Sequence, residues 1–255
     1  MRRLIFLMVL SCIITSSVCA QQPAGTFSVA PKVGMAISNF SGKMPVYVGY
    51  AISQYEAQTG LNFNDASEWK NIQGVAAFND TKNKLGVTFG VEAQYQFTSV
   101  FGLSLGAFYA HQGATYKTKG FDVTDSENVR LIINDDIKVK LHCINVPLLA
   151  NVYVWKGLSL KAGIQPEFIV GKKMDVDCSL VYNGQTTSTN SHRDAGVKSF
   201  ALSIPVGIGY EYKNFVADLR YCLGVTDVND NAKDRFSGTA HNMALSFTLG
   251  YKLLW

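Results

Sequence analysis

The sequence predicts an all-β fold: a closed antiparallel transmembrane β-barrel of eight strands, with ten as the alternative count. Three observations predict it. Apolar and polar residues alternate strictly over long segments, the links between segments alternate short and long, and the second face of the segments is too rich in charge and glycine for a soluble core.

The chain opens Met1-Arg2-Arg3, continues in an apolar run from Leu4 to Ile14 and reaches Val18-Cys19-Ala20. A basic start, a short apolar stretch and small residues before a cut describe a secretory signal peptide. The run is shorter than the roughly 20 residues of a spanning helix. The expected organisation is a signal peptide over 1–20 and a barrel domain over 21–255, with Gln21 as the mature N-terminus. Lipid attachment at Cys19 is the rival, disfavoured by the bulk of Val18 before it. Beyond the signal no apolar run approaches 18 residues, which excludes a helical membrane protein. Removing Arg2 and Arg3 lowers the formal charge from +4 to +2, too little to suggest nucleic acid.

The strands follow from period two, taken in order as 27–38, 84–98, 100–116, 139–155, 158–171, 197–212, 214–224 and 241–255. Phe27 to Ile37 alternates with exceptions. Leu85, Val87, Phe89 and Val91 face away from Gly86, Thr88, Gly90 and Glu92. Phe101 to Gly113 and Leu141 to Trp155 alternate less regularly. Leu160, Ile164 and Phe168 oppose Lys161, Gln165 and Glu167. Phe200 to Tyr212 alternates throughout, and Phe215, Leu219 and Tyr221 oppose Asp218 and Arg220. The last strand is the clearest: Met243, Leu245, Phe247, Leu249 and Tyr251 alternate with Asn242, Ala244, Ser246, Thr248 and Gly250.

Tight turns are expected at Thr98-Ser99, Lys156-Gly157 and Lys213-Asn214, and long links at 39–83, 117–138, 172–196 and 225–240. Short periplasmic turns and long outer loops are the layout of an outer-membrane barrel, with both termini then periplasmic. Within the first long link, Val46 to Ile52 and Ile72 to Phe78 are the runs that would raise the count to ten. Aromatic residues gather by the short turns: Phe97, Phe101, Tyr153, Trp155, Tyr210, Tyr212, Phe215, Tyr251 and Trp255, as in an interfacial girdle.

The inward face carries Lys32, Lys161, Arg220 and Lys252 with Glu92, Glu167, Glu211 and Asp218. Unpaired buried charges are costly, so these eight are expected to form a paired lumen network. The three cysteines after the signal, Cys143, Cys178 and Cys222, show no C-x-x-C spacing. Export permits one disulfide but an odd count leaves a thiol over; small semi-apolar lining residues is the simpler reading.

The segment Pro31 to Gly42, with Gln96-Phe97-Thr98 before Phe101-Gly102-Leu103, Cys143 to Leu149, and Tyr221 to Asp230, resembles the PorT-like outer-membrane barrel proteins abundant in Bacteroidetes. The resemblance covers residues 26–255. The C-terminal run from Thr248 resembles the signal read by the barrel-assembly machinery, with Gly250, Leu253 and Trp255 in its fixed places. Trp255 stands where phenylalanine is commoner. The resemblance implies a barrel whose named relative serves a secretion system; the first outer loop here is longer than that family's.

None of His111, His142, His192 and His241 has the His-x-Ser spacing of barrel deacylases. His111, His142 and His241 all fall near the outer rim, where a shared metal is the sharper reading and ordinary rim histidines the plainer one. Eight strands leave an interior that side chains fill. The expectation is therefore a non-enzymatic outer-membrane barrel, without cofactor or metal, that presents loops for binding or supports a secretion or envelope assembly. The alternatives are a narrow channel for small solutes and a lipid-modifying enzyme. Expected partners are outer-membrane lipid and lipopolysaccharide, the assembly machinery, and a secretion-system or surface partner, but not nucleic acid. Candidate loop-binding residues are Tyr47, Tyr50, Tyr55, Trp69, Tyr182 and His192.

Overall fold

A computed structural model describes residues 22–42, 80–117, 121–124, 130–182, 185–230 and 239–255. Their strands are β1 (Phe27–Gly42), β2 (Asp80–Gln96), β3 (Phe101–Lys117), β4 (Phe121–Thr124), β5 (Arg130–Asn145) and β6 (Leu148–Trp155). They continue as β7 (Leu158–Tyr182), β8 (Gln185–Arg193), β9 (Phe200–Tyr212), β10 (Phe215–Gly224), β11 (Ala240–Tyr251) and β12 (Leu253–Leu254).

Eight staves close the ring. β1 pairs with β2 along one edge and with β11 and β12 along the other, so Lys32 lies opposite both Gly90 and Gly250. Direct β1–β2 pairing leaves no place for two further staves between them, and the count is eight. Val46 to Ile52 and Ile72 to Phe78 lie outside the described residues. Closure satisfies every wall strand's backbone on both sides, which hydrocarbon requires.

Two staves are made of two strands each. β5 and β6 are separated at Val146-Pro147, because proline has no N–H to give the ladder. Neighbouring backbone repairs the gap: Gly106 N donates to Pro147 O at 2.9 Å, and Val146 N to Pro166 O at 2.9 Å. β11 and β12 are separated at Lys252, whose N–H turns to Asn214 O at 2.6 Å. The turn before β7 has φ of 25° at Lys156 and 87° at Gly157. Positive φ at both central residues matches the twist of a two-residue hairpin.

The wall faces are those that alternation predicts. Leu245, Phe247 and Leu249 stand outward, each about half exposed, while Thr248 is buried inside. Phe97, Phe101, Trp155, Tyr210, Tyr212, Phe215, Tyr251 and Trp255 are exposed around the short-turn end. Tyr153 departs from the expected girdle. It points inward, 1% exposed, because its hydroxyl donates to Glu211 Oε1 at 2.5 Å in the lumen.

Two expected loops are largely strand. The link 117–138 contains β4 and the start of β5, and 172–196 is the β7–β8 hairpin. β7 reaches 25 residues and pairs with β5 far beyond the apolar wall. In water neither face of such a hairpin needs to be apolar. Lys138, Lys140, Asp175 and Asp177 therefore replace the period-two signal. Beyond the wall the sheet runs β4-β5-β7-β8.

The interior is polar only in part. Toward the long-loop end, Phe40, Tyr116, Ile137, Val139, Leu141, Ile169, Val197 and Val228 form an apolar cluster. The inward face, expected to be too polar for a core, does build one at this end. The segments 195–199 and 225–230 fold over the mouth, joined by Lys198 N to Val228 O at 2.8 Å and Asp230 N to Gly196 O at 3.0 Å. At that end the interior is an ordinary apolar core.

Candidate functional site

The lumen holds three layers of polar side chains below that apolar cap. In the middle layer β1 contributes Lys32, β2 Glu92, β7 Lys161, and β10 Asp218 and Arg220. Asp218 and Arg220 are two residues apart, so both point inward. Lys32 Nζ lies 2.6 Å from Glu92 Oε1 and is also paired with Asp218. Lys161 Nζ lies 2.6 Å from Asp218 Oδ1 and 3.4 Å from Glu92 Oε1. Arg220 Nη2 lies 3.1 Å from Asp218 Oδ2 and is paired with Glu92. Each carboxylate thus answers three cations. Arg220 also lies over the inward ring of Phe108 at 5.5 Å. Gly209 makes the crossing of β7 and β10 side chains fit: a Cβ there would stand 2.7 Å from both Asp218 Oδ1 and Lys161 Cε.

At the short-turn end Lys252 Nζ lies 2.6 Å from Glu211 Oε1 and donates to Gln94 Oε1 at 3.2 Å. Gln22 and Tyr153 also donate to Glu211. Toward the cap, Glu167 departs from the paired network expected of it. It makes no ion pair among the described residues. Gln165, Ser203 and Asn242 donate to it at 2.9, 2.7 and 2.9 Å instead. These neutral donors, with Gln94, Gln96 and Gln112, are lumen groups that charge counting overlooked. Their inward parity was the available signal.

Four cations, Lys32, Lys161, Arg220 and Lys252, balance four carboxylates, Glu92, Asp218, Glu211 and Glu167. The balance is global rather than local, since the middle layer sets three cations against two carboxylates. A cavity of about 30 Å³ separates that layer from the Glu167 cluster and is lined by Asn145, Gln165, Arg220 and Thr248 among others. It has the size and polarity for an ordered water, not for a solute.

The remaining candidates do not assemble into one site. Tyr47, Tyr50, Tyr55 and Trp69 lie outside the described residues. Tyr182 ends β7 opposite Gln185, and its side chain is outside the described set. His192 lies at the other end of that hairpin, largely exposed, with Nδ1 3.6 Å from Asp175 Oδ1. The three rim histidines do not converge, contrary to the metal reading. His111 and His142 stack at 5.0 Å, whereas His241 Nδ1 sits 3.1 Å from Thr226 O. Among the described residues no group of three or more His, Cys, Asp or Glu is placed to hold a metal. Cys143 and Cys222 are buried free thiols; the side chain of Cys178 is outside the described set.

Gly250, Leu253 and Trp255 lie on the closing seam. A Cβ on Gly250 would meet Lys32 Cγ and Pro31 O at 2.6 Å, so glycine is what lets β11 lie against β1 there. Leu253 and Trp255 face outward, and Trp255 exchanges backbone hydrogen bonds with Phe27 at 2.9 and 3.2 Å.

Residues 19–230 match the outer membrane protein beta-barrel domain family, and the chain belongs to that family. It is therefore an outer-membrane β-barrel protein. Comparison with curated proteins returns no match. Among solved structures the chain is similar to the attachment invasion locus protein Ail of Yersinia pestis, at 15% identity and TM-score 0.37, covering 90% of this chain and 99% of that one. Neisserial surface protein A is similar at 13% identity and TM-score 0.38, with coverage of 90% and 99%. The outer membrane protein OprG of Pseudomonas aeruginosa is similar at 14% and 0.36, with coverage of 91% and 97%.

Proposed function

We propose that this chain is a non-enzymatic, non-conducting anchor that holds an extramembrane sheet and its loops at the cell surface for binding. The carrying observation is the filled lumen: a cross-linked charge layer spans it, and an apolar cluster caps it above. One ring nitrogen of each histidine meets a neighbour: Lys84 for His111, Tyr109 for His142, Asp175 for His192 and the Thr226 carbonyl for His241. In this reading the termini and the turns at Lys156-Gly157 and Lys213-Asn214 are periplasmic, and the β7–β8 hairpin is outside. Among the described residues no strand pairs with the outer edge of β8 or of β4, and those edges suit a partner strand. A partner from secretion or envelope assembly is the version that the PorT-like resemblance favours.

Two measurements test the reading. In planar bilayers the purified protein should show no discrete conductance steps; regular steps would establish the narrow channel instead. An epitope inserted between residues 182 and 185 should be labelled on intact cells, and one at Asn214 only after permeabilisation. The reverse labelling would turn the barrel over.

A further inference from the structure

The outer surface of the β3–β5–β7 wall changes chemistry in successive rows. Tyr109, Ile144 and Phe168 lie side by side across the three strands. Ile144 and Phe168 are exposed apolar residues, so this row belongs to the hydrocarbon face. Two residues further up, about 6.6 Å along the strand, His111 pairs with His142 and His142 with Gly171. Two more bring Gly113 beside Lys140 and Lys140 beside Lys173. The wall therefore passes from apolar to imidazole to ammonium in the distance over which a bilayer passes from acyl chain to headgroup.

The imidazole row is held in place. The His111 and His142 rings lie 11° from parallel, and Tyr109 Oη is 2.5 Å from His142 Nδ1. Gly171 leaves the wall bare under His142: a Cβ there would be 2.8 Å from the ring's Cδ2. Lys84 of β2 reaches this row, its Nζ 3.2 Å from His111 Nε2.

The charges above it are not balanced locally. Asp175 holds Lys140 at 2.5 Å, and Asp177 holds Lys138 at 3.0 Å. Lys84 Nζ donates to the Gln112 and Val139 carbonyls at 3.4 and 3.2 Å, and neither Lys84 nor Lys173 forms an ion pair with a carboxylate among the described residues. Lys173 moreover stands directly opposite Lys140, and like charges facing across a strand pair are unfavourable. An anion seated between them would reverse that term.

We propose that this rim binds a phosphate of a phosphorylated glycolipid in the outer leaflet. Lys84 and Lys173 supply the charge, His142 supplies a ring N–H, and the acyl chains run down the Tyr109–Ile144–Phe168 row. The lipid source rests on the orientation given under Proposed function; the anion site itself does not. The opposite rim provides a control, with Lys156 over Trp155 at 5.9 Å and Lys213 over Tyr212 at 5.6 Å.

The test uses the full refolded protein in zwitterionic micelles, titrated with diphosphorylated lipid A, its dephosphorylated form and inorganic phosphate. Heat-modifiable gel mobility shows that each variant is folded. Diphosphorylated lipid A should bind wild type, and the Lys84→Gln/Lys173→Gln pair should weaken it by about tenfold or more. The dephosphorylated form should bind both proteins equally weakly, and Lys156→Gln/Lys213→Gln should change nothing. Equal loss in both double variants would mean attraction by net charge alone and overturn the site. Equal binding of the two lipid forms would mean acyl contact only, and inorganic phosphate as tight as lipid A would mean a free-anion site; either overturns the proposal. Reversed epitope labelling with intact rim binding would overturn the outer-leaflet source while leaving the phosphate site standing.

Discussion

Lys161 of β7 reaches past β9 to Asp218 of β10, its Nζ 2.6 Å from Oδ1, and both side chains are wholly buried. The pair ties non-adjacent staves through the lumen rather than along the wall. Backbone ladders fix each stave to its neighbours; only lumen side chains fix the ring's cross-section.

Asp218→Ala should therefore destabilise the barrel strongly. It leaves Lys32, Lys161 and Arg220 with Glu92 alone, and removing one partner of a buried ion network costs about 3–5 kcal/mol. Urea unfolding in micelles, in a double-mutant cycle with Lys161→Met, should give a coupling well above roughly 0.5 kcal/mol. Additive losses would mean that the middle layer is hydrated rather than cross-linked.

Gly209→Val tests the same crossing from the backbone side. The added Cβ would meet Asp218 Oδ1 and Lys161 Cε at 2.7 Å, so the pair must separate. Overpacking of this kind costs about 1–3 kcal/mol. The loss should shrink in an Asp218→Ala background, where the obstructed carboxylate is gone; an undiminished loss would place the strain elsewhere.

How far the sequence carried the lumen depended on charge. Glu92, Lys161 and Arg220, and less sharply Lys32 on a strand with exceptions, stood out because a charge on an alternating strand has only one inward direction. Glu167 stood out equally, yet its partners are Gln165, Ser203 and Asn242, which alternate without advertising themselves. Tyr153 misled because an aromatic near a turn suits both a lipid interface and a lumen hydroxyl. The β5–β7–β8 extension was illegible because beyond the apolar wall no apolar face is required, and charged residues such as Lys140 of β5 and Asp175 of β7 replace the period-two signal. The apolar cap was missed for the converse reason: Ile137, Val139 and Leu141 point inward beyond the polar layers, where the interior is apolar.

The hairpin should loosen in acid. The hydrogen bond and charge of Lys140 hold the Asp175 carboxyl below the usual aspartate value. A carboxyl depressed in the folded state contributes stability above its unfolded pKa of about 3.9 and loses it as pH falls through the lower folded value. Protection of the Lys140 and Lys173 amides, measured against their intrinsic exchange rates, should fall as pH drops from about 4 toward the folded value, and Asp175→Asn should flatten that dependence. The same slope in the variant would assign it to another carboxylate.

The sharpest test of the wall concerns two adjacent residues on β11. Phe247 faces out, 48% exposed, between Met35 of β1 and Leu219 of β10. Ser246 faces in, between Ala36 and Arg220. Arginine on the lipid face near the midplane of such barrels costs roughly 2–4 kcal/mol. Phe247→Arg should thus impair folding, visible as loss of the fast-migrating form in unheated gels. Ser246→Asn adds a small polar group beside the Arg220 layer, where donors and acceptors are at hand, and should fold nearly as wild type. Because a one-residue slip would exchange the faces along the entire strand, a folded Phe247→Arg beside an unfolded Ser246→Asn would displace β11 by one residue against both neighbours.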